Sequence, residues 1–194
     1  MTLSYPQWVD ALRHRLPGES AGQQVCRVVR ALDGISLVHD ADRLAELFLC
    51  NESEARSKLV ASWRTNCATT ARQVYCLCGC VSEHVIEPYV NGRAFDDVRS
   101  AAKDAGAVLP GSQWRKLGPG WGMLYWTTGN DAHFEFCLGP VDAVGVADHG
   151  GGGRSDNAIA CGHGSILSNW GRPLQVIFDP ELLCTLPATG DDPY

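Results

Sequence analysis

The sequence lacks any run near the roughly 18 uninterrupted apolar residues that a membrane-crossing helix needs, so no such helix is expected. It also lacks a basic start followed by an apolar stretch. Its opening, MTLSYPQWVDALRHR, carries an acid and several polar residues there, so no secretory signal is visible and the chain is expected to be cytoplasmic at synthesis. A basic surplus is missing too: 16 Lys and Arg face 22 Asp and Glu, a net charge of -6, which argues against nucleic acid or an anionic membrane as the main partner. No Cys-x-x-Cys knuckle occurs, and no Gly-Lys-Ser/Thr follows the glycine run at 150–153, so neither a paired zinc knuckle nor a phosphate cradle is indicated. With no internal repeat and no low-complexity linker, residues 1–194 are expected to form a single α+β domain.

What is present suffices for a packed core. Hydrophobic residues make up 45% of the 194 and charged residues 20%, which excludes a disordered chain. The nine cysteines are an odd number in a chain too long to need a disulfide staple, so mostly reduced thiols are expected, at least one of them explained by chemistry.

The first half reads as helical. Pro6 suits a first turn, and Trp8, Val9, Leu12 and Leu16 follow at helical spacing until Pro17-Gly18; Val25, Val28, Val29 and Leu32 repeat the pattern up to Gly34. Asp40 can cap a short helix through Phe48, and Asn51 with Glu54 resembles a capping box ahead of Leu59, Val60 and Trp63. Residues 1–62 are therefore expected to be a helical N-terminal subregion. From Cys67, positions Cys67, Ala71, Val74, Cys78 and Val81 give one small apolar helix face with Gly79 near its end, and a further helix runs from Phe95 to Gly106. After it the period changes to two. Segments 123–127, 133–138 and 143–147 read as an antiparallel meander, 174–178 as a last strand, and the glycines at 150–153 as a loop walling a cleft.

Chemistry enters at Cys67. In SWRTNCATTAR, Thr65 or Asn66 can cap, which puts the thiol in a first helical turn, where unsatisfied N–H groups and the helix dipole favour the thiolate. His133 opens an apolar strand, where a core histidine has no obvious use. Alternation puts His133, Glu135 and Cys137 on one face and Phe134, Phe136 and Leu138 on the other. A four-residue hairpin loop, Gly139 to Asp142, sets Asp148 opposite His133, and a two-residue loop sets it on the diagonal, so Asp148 is the expected orienting acid. Nucleophile, base and acid then form the relay that activates a thiol for acyl transfer.

These segments resemble a known family. TNCATTAR, GMLYWT, DAHFEF, VADHGGGG and RPLQVIFDPELL look like the NlpC/P60-type papain-like cysteine hydrolases, including amidase toxins delivered by type VI secretion. The resemblance runs from Trp63 onward. It implies a papain-like catalytic core over 63–194, cleavage of amide bonds, often in peptidoglycan stem peptides, and Cys67 and His133 in the nucleophile and base positions. Two departures stand out. The family's acidic Gly-Asp before the base strand is Gly122-Met123 here, and its third residue is often a histidine, which makes His149 a rival of Asp148. The toxin setting implies an immunity or inhibitor protein as a further partner and export by a signal-independent route.

Other constellations are weaker. Cys76, Cys80 and His84 stand four apart, which invites a metal, but packed thiols are the simpler reading; no metal and no cofactor is expected. Cys161-Gly-His163 is a slighter hint of the same kind. Five tryptophans, Trp63, Trp114, Trp121, Trp126 and Trp170, could stack on a glycan, though scattered tryptophans are more often core. Trp63, Asn66, Trp126 and His149 are taken as the binding residues around the nucleophile. Two alternatives stand beside the hydrolase: the same dyad deamidating or acyl-transferring on a host protein, and a non-catalytic binding or metal-stabilised module.

Overall fold

The computed structural model of the chain describes residues 12–34, 67, 71, 74–75, 78–80, 96–127, 132–152 and 159–186. Their frame is one antiparallel sheet of β1 (Val108–Pro110), β2 (Gly122–Trp126), β3 (Ala132–Cys137), β4 (Val146–Gly152), β5 (Ile159–Ser165), β6 (Ser168–Asn169) and β7 (Arg172–Phe178). The order is β1-β7-β2-β3-β4-β5, with β6 hairpinned onto β7. Helices α1 (Ala21–Ala31), α2 (Asp96–Asp104) and α3 (Pro180–Leu183) accompany it, and Cys67, Ala71, Val74 and Tyr75 are helical as well. The chain is thus mixed helix and antiparallel sheet, an α+β architecture. Among the described residues no helix is long and apolar enough to cross a membrane.

Helix α1 starts where its sequence says it should. Ser20 Oγ accepts from the Gln23 N–H at 3.2 Å and Gln23 Oε1 accepts from the Ser20 N–H at 2.8 Å, a capping box. Its apolar stripe, Val25, Val28, Val29 and Leu32, shares one buried cluster with Phe134 and Phe136 of β3 and Leu138 just past it. The described part of residues 1–62 therefore contributes to the main core. The backbone crosses itself closely here: a Cβ on Gly22 would collide with the Pro119 carbonyl oxygen. Glu181 of α3 closes the start of the helix, accepting from the Ala21 and Gly22 N–H groups at 3.1 and 2.7 Å. Replacing one carboxylate oxygen by an amide NH2 removes the charge and leaves one of the two donors at the helix N-terminus without its acceptor. Glu181→Gln is expected to cost about 1 kcal/mol and lower the melting temperature by about 2–4 °C, read by thermal denaturation.

The helix that carries Cys67 packs on the same face. Ala71, Val74 and Tyr75 are buried there, and the Tyr75 ring stands edge-on to Phe134 and Phe136. Gly79, at φ 72°, ends it as the sequence suggested. One pair departs from the expectation of reduced thiols: Cys80, just past this end, is joined to Cys184, just past α3. The two helix ends meet at the floor of the core, where each sulfur also lies 3.9 Å from the Cys78 carbonyl. That bond takes Cys80 out of the candidate metal set; Cys76 and His84 lie outside the described residues, as do the expected helices over 35–66.

The second half keeps most of the expected strands and corrects two. Within 143–147, only Val146 and Ala147 are strand, because Asp142 Oδ1 accepts from the Val144 and Val146 N–H groups at 2.9 and 2.8 Å and folds the segment into a turn that Gly145 completes at φ 81°. The glycines at 150–152 are strand rather than loop. A Cβ on Gly151 would stand 2.8 Å from the Phe134 carbonyl oxygen and 3.1 Å from Glu135 Cα, so the bare backbone is what lets β4 lie against β3 there. The opposite face of the sheet is buried too, around Met123, Tyr125, Cys137, Ile166 and Ile177.

Candidate active site

His133 is the second residue of β3, buried to 5% exposure. Two residues on, Glu135 shares its face. Same-face neighbours on a strand are about 6.5–7 Å apart, a gap that a glutamate spans and an aspartate does not. Glu135 Oε1 lies 3.1 Å from His133 Nε2. Its other oxygen, Oε2, lies 2.8 Å from His149 Nδ1 of β4. One buried carboxylate therefore bridges two imidazoles.

Cys67 completes the series. Its Sγ lies 3.9 Å from the Ala132 carbonyl and its thiol hydrogen-bonds to His133. With Nε2 held by Glu135, Nδ1 is the imidazole nitrogen left for sulfur. The electrostatics follow from these contacts. Burial pulls the His133 pKa down, but the bonds to Cys67 and Glu135 outweigh it and raise it to about 9. Burial pulls Glu135 up, and the two histidines outweigh that, holding it at about 2. The Glu135 bond likewise raises His149. At neutral pH the arrangement favours a protonated His133 held between Cys67 and an ionised carboxylate.

The His133 ring is sandwiched between Tyr125, stacked at 6.4 Å, and Trp170, at 4.9 Å. Beside it opens a cavity of about 170 Å³ bounded by His133, Glu135, His149, Gly152, Asn169 and Trp170 among others. Among the described residues no group of three or more His, Cys, Asp or Glu is placed to hold a metal ion.

The structure brings together Cys67, His133 and His149 but not Asp148. Phe136 pairs with Gly150 and Cys137 with His149, and the Leu138 N–H donates to the Asp148 carbonyl at 2.8 Å. The turn is longer than the four residues expected, so β4 is displaced by five positions. An odd displacement turns every side chain over. His149 thereby shares the His133 face, and Asp148 points to the other side, half exposed, with Arg30 at 3.2 Å and His163 at 2.9 Å. Its carboxyl is lowered by His163 first and Arg30 second. Asp148→Asn is accordingly expected to leave the turnover rate within about twofold of wild type, as for other solvent-exposed ion pairs, read in any assay of the site.

Of the binding candidates, Trp63 and Asn66 lie outside the described residues, and Trp126 packs against the main core cluster. Sequence reasoning missed Glu135, although strand alternation had already placed it on the His133 face; the acid was sought on the next strand instead of two residues along the same one. Asn169 was missed as well, since a two-residue strand carries no periodicity, and Trp170, in the turn that follows, was singled out only as one of five scattered tryptophans. Compared with protein-family models, with curated proteins and with solved structures, the chain finds no match.

Proposed function

We propose that this chain is a cysteine amidohydrolase or peptidase with a papain-like core of the NlpC/P60 type, in which Cys67, His133 and Glu135 form the relay and His149 anchors the carboxylate. The observation that carries the reading is the hydrogen-bonded series from half-buried Cys67 through buried His133 to Glu135, the last two of which line a cavity. Unpaired, a buried histidine and a buried glutamate would each shed their charge; ordered this way, each holds the other's.

The chemistry follows from the charges. The Cys67 thiolate attacks the amide carbonyl carbon, and the resulting oxyanion is met by backbone N–H groups, that of Cys67 among them. As the C–N bond breaks, the His133 imidazolium gives its proton to the leaving amine. Neutral His133 then takes a proton from water, which attacks the thioester and releases the acid, restoring the thiolate and imidazolium. Glu135 stays ionised throughout and keeps Nε2–H in place, so that Nδ1 always faces sulfur.

The substrate is proposed to be a peptide amide, with peptidoglycan stem peptides first, by the family resemblance. An immunity or inhibitor protein as partner and export by a signal-independent secretion system belong to the same reading. Incubation with purified peptidoglycan, read by mass spectrometry, is expected to release stem-peptide fragments with wild-type protein and none with Cys67→Ala. Intact peptidoglycan, with glutamine converted to glutamate on a co-incubated protein, would turn the reading to deamidation. No fast-alkylating cysteine at position 67 would remove it.

A further inference from the structure

Two features of the cavity have no part in the relay. The β6–β7 hairpin joins Asn169 to Arg172 through Trp170 and Gly171 alone, and both have positive φ, 48° and 78°. A two-residue turn of this kind asks for left-handed backbone at both positions, which glycine and asparagine adopt readily and tryptophan does not. Packing does not explain the tryptophan, which is 68% exposed while its ring lies 4.9 Å from that of His133. The second feature is Asn169. Its Oδ1 is buried with no hydrogen-bond partner among the described residues, and the residue lines the cavity. A buried carbonyl oxygen is almost always given a donor.

The cavity also holds a second polar atom, the His149 Nε2, which donates when the ring is protonated, the state that its contact with Glu135 favours. His149 uses Nδ1 on Glu135, and its Nε2 faces β5, where a Cβ on Gly164 would come only to 3.5 Å and one on Gly162 to 3.9 Å. Nothing larger than a glycine hydrogen covers it from those positions. An acceptor at Asn169 and a donor at His149 match the N–H and C=O of one amide unit. The same cavity is lined by Gly151, Gly152, Ala160, Cys161 and Gly162, all small, which suits a peptide with small side chains.

We propose that Asn169 and Trp170 are the substrate-recognition corner of this site: Asn169 accepts the N–H of a peptide unit beside the bond under attack, and the Trp170 indole covers that unit over His133. The proposal rests on the reading of Cys67 as nucleophile. It is tested with two reagents that share one warhead, acetyl-Ala-Ala chloromethyl ketone and chloroacetone. In both, the thiolate displaces chloride and forms an S–C bond, but the second offers no amide unit.

Labelling of Cys67 is followed by mass spectrometry, and the ratio of the two second-order rate constants reports peptide recognition alone. Asn169→Ala is expected to lower the ratio about fivefold to tenfold, and Trp170→Gly by a similar factor, the loss being confined to the peptidyl reagent. Asn169→Asp, which keeps an acceptor oxygen in place, should retain the ratio within about twofold. A ratio unchanged in both Asn169→Ala and Trp170→Gly, or a loss shared equally by chloroacetone, overturns the recognition corner and leaves the nucleophile standing. Wild-type Cys67 reacting with chloroacetone no faster than Cys161, a half-buried thiol whose pKa burial raises to about 11, would overturn the nucleophile and the corner together.

Discussion

Alanine at Cys67 is expected to abolish amide hydrolysis, with a loss of at least about 10⁴-fold in kcat, because the other thiol in the described site, Cys161, has no bond to His133 among the described contacts and is pushed up to about 11 by burial. The fold should survive. Cys67 is only partly buried, and alanine is the residue a helix accommodates best. His133→Ala should cost about as much in rate, since a thiol without its base is neither deprotonated nor able to protonate the leaving amine. It should be less stable than wild type by about 1–3 kcal/mol, because Glu135 stays buried with His149 as its remaining imidazole partner. The double variant is the most informative. Members of a relay act as a unit, so Cys67→Ala with His133→Ala should be no slower than either alone. Turnover measured on a fluorogenic peptide, with circular dichroism to check folding, decides the matter; losses that multiply in the double variant would mean that the two residues serve separate functions.

Legibility of the chain followed the range of the interactions involved. The proposed nucleophile and base stand out because their signals are local: Cys67 heads a small apolar helical stripe whose Ala71 and Val74 are buried, and His133 breaks an otherwise apolar strand. The capping box at Ser20 and the glycine stop at Gly79 are local in the same way. The register of β4 was not, since it depends on how many residues the Asp142 turn consumes, and that turn is built by a side chain accepting from two backbone groups beyond it. An error of five residues there exchanged Asp148 for His149. Strand β5, IACGHGS, escaped because its glycines interrupt the alternation that marks a strand, yet those glycines are what keep the His149 side of the cavity open. The disulfide between Cys80 and Cys184 joins positions 104 residues apart, and no spacing rule reaches that far.

Glu135→Gln is the second large expectation, a loss of about 10²- to 10⁴-fold in kcat with the fold retained. The substitution conserves shape but reverses what the side chain can do. Glutamate can only accept, so it fixes the proton on His133 Nε2 and leaves Nδ1 for sulfur. Glutamine can turn its amide N–H toward Nε2, which holds the proton on Nδ1 instead, where a neutral imidazole cannot take one from the thiol or from water. The pH profile should move as well. In the folded protein His133 lies at about 9, above the ordinary 6.5, so its paired form is fully present below pH 6.5 and is lost as pH rises through about 9. Glu135 lies at about 2, below the ordinary 4.5, so its contribution is present above pH 4.5 and is lost only as pH falls through about 2. The alkaline limb of kcat/KM should therefore stand near pH 9 in the wild type, with no acid limb from Glu135 in the working range. With glutamine at 135, burial of His133 is opposed by the Cys67 bond without the carboxylate, and the alkaline limb should move toward neutrality. Fluorogenic turnover across pH 5–10 measures this directly. An unmoved limb in Glu135→Gln beside a moved one in Asp148→Asn would return the orienting role to the exposed aspartate, against the register of β4.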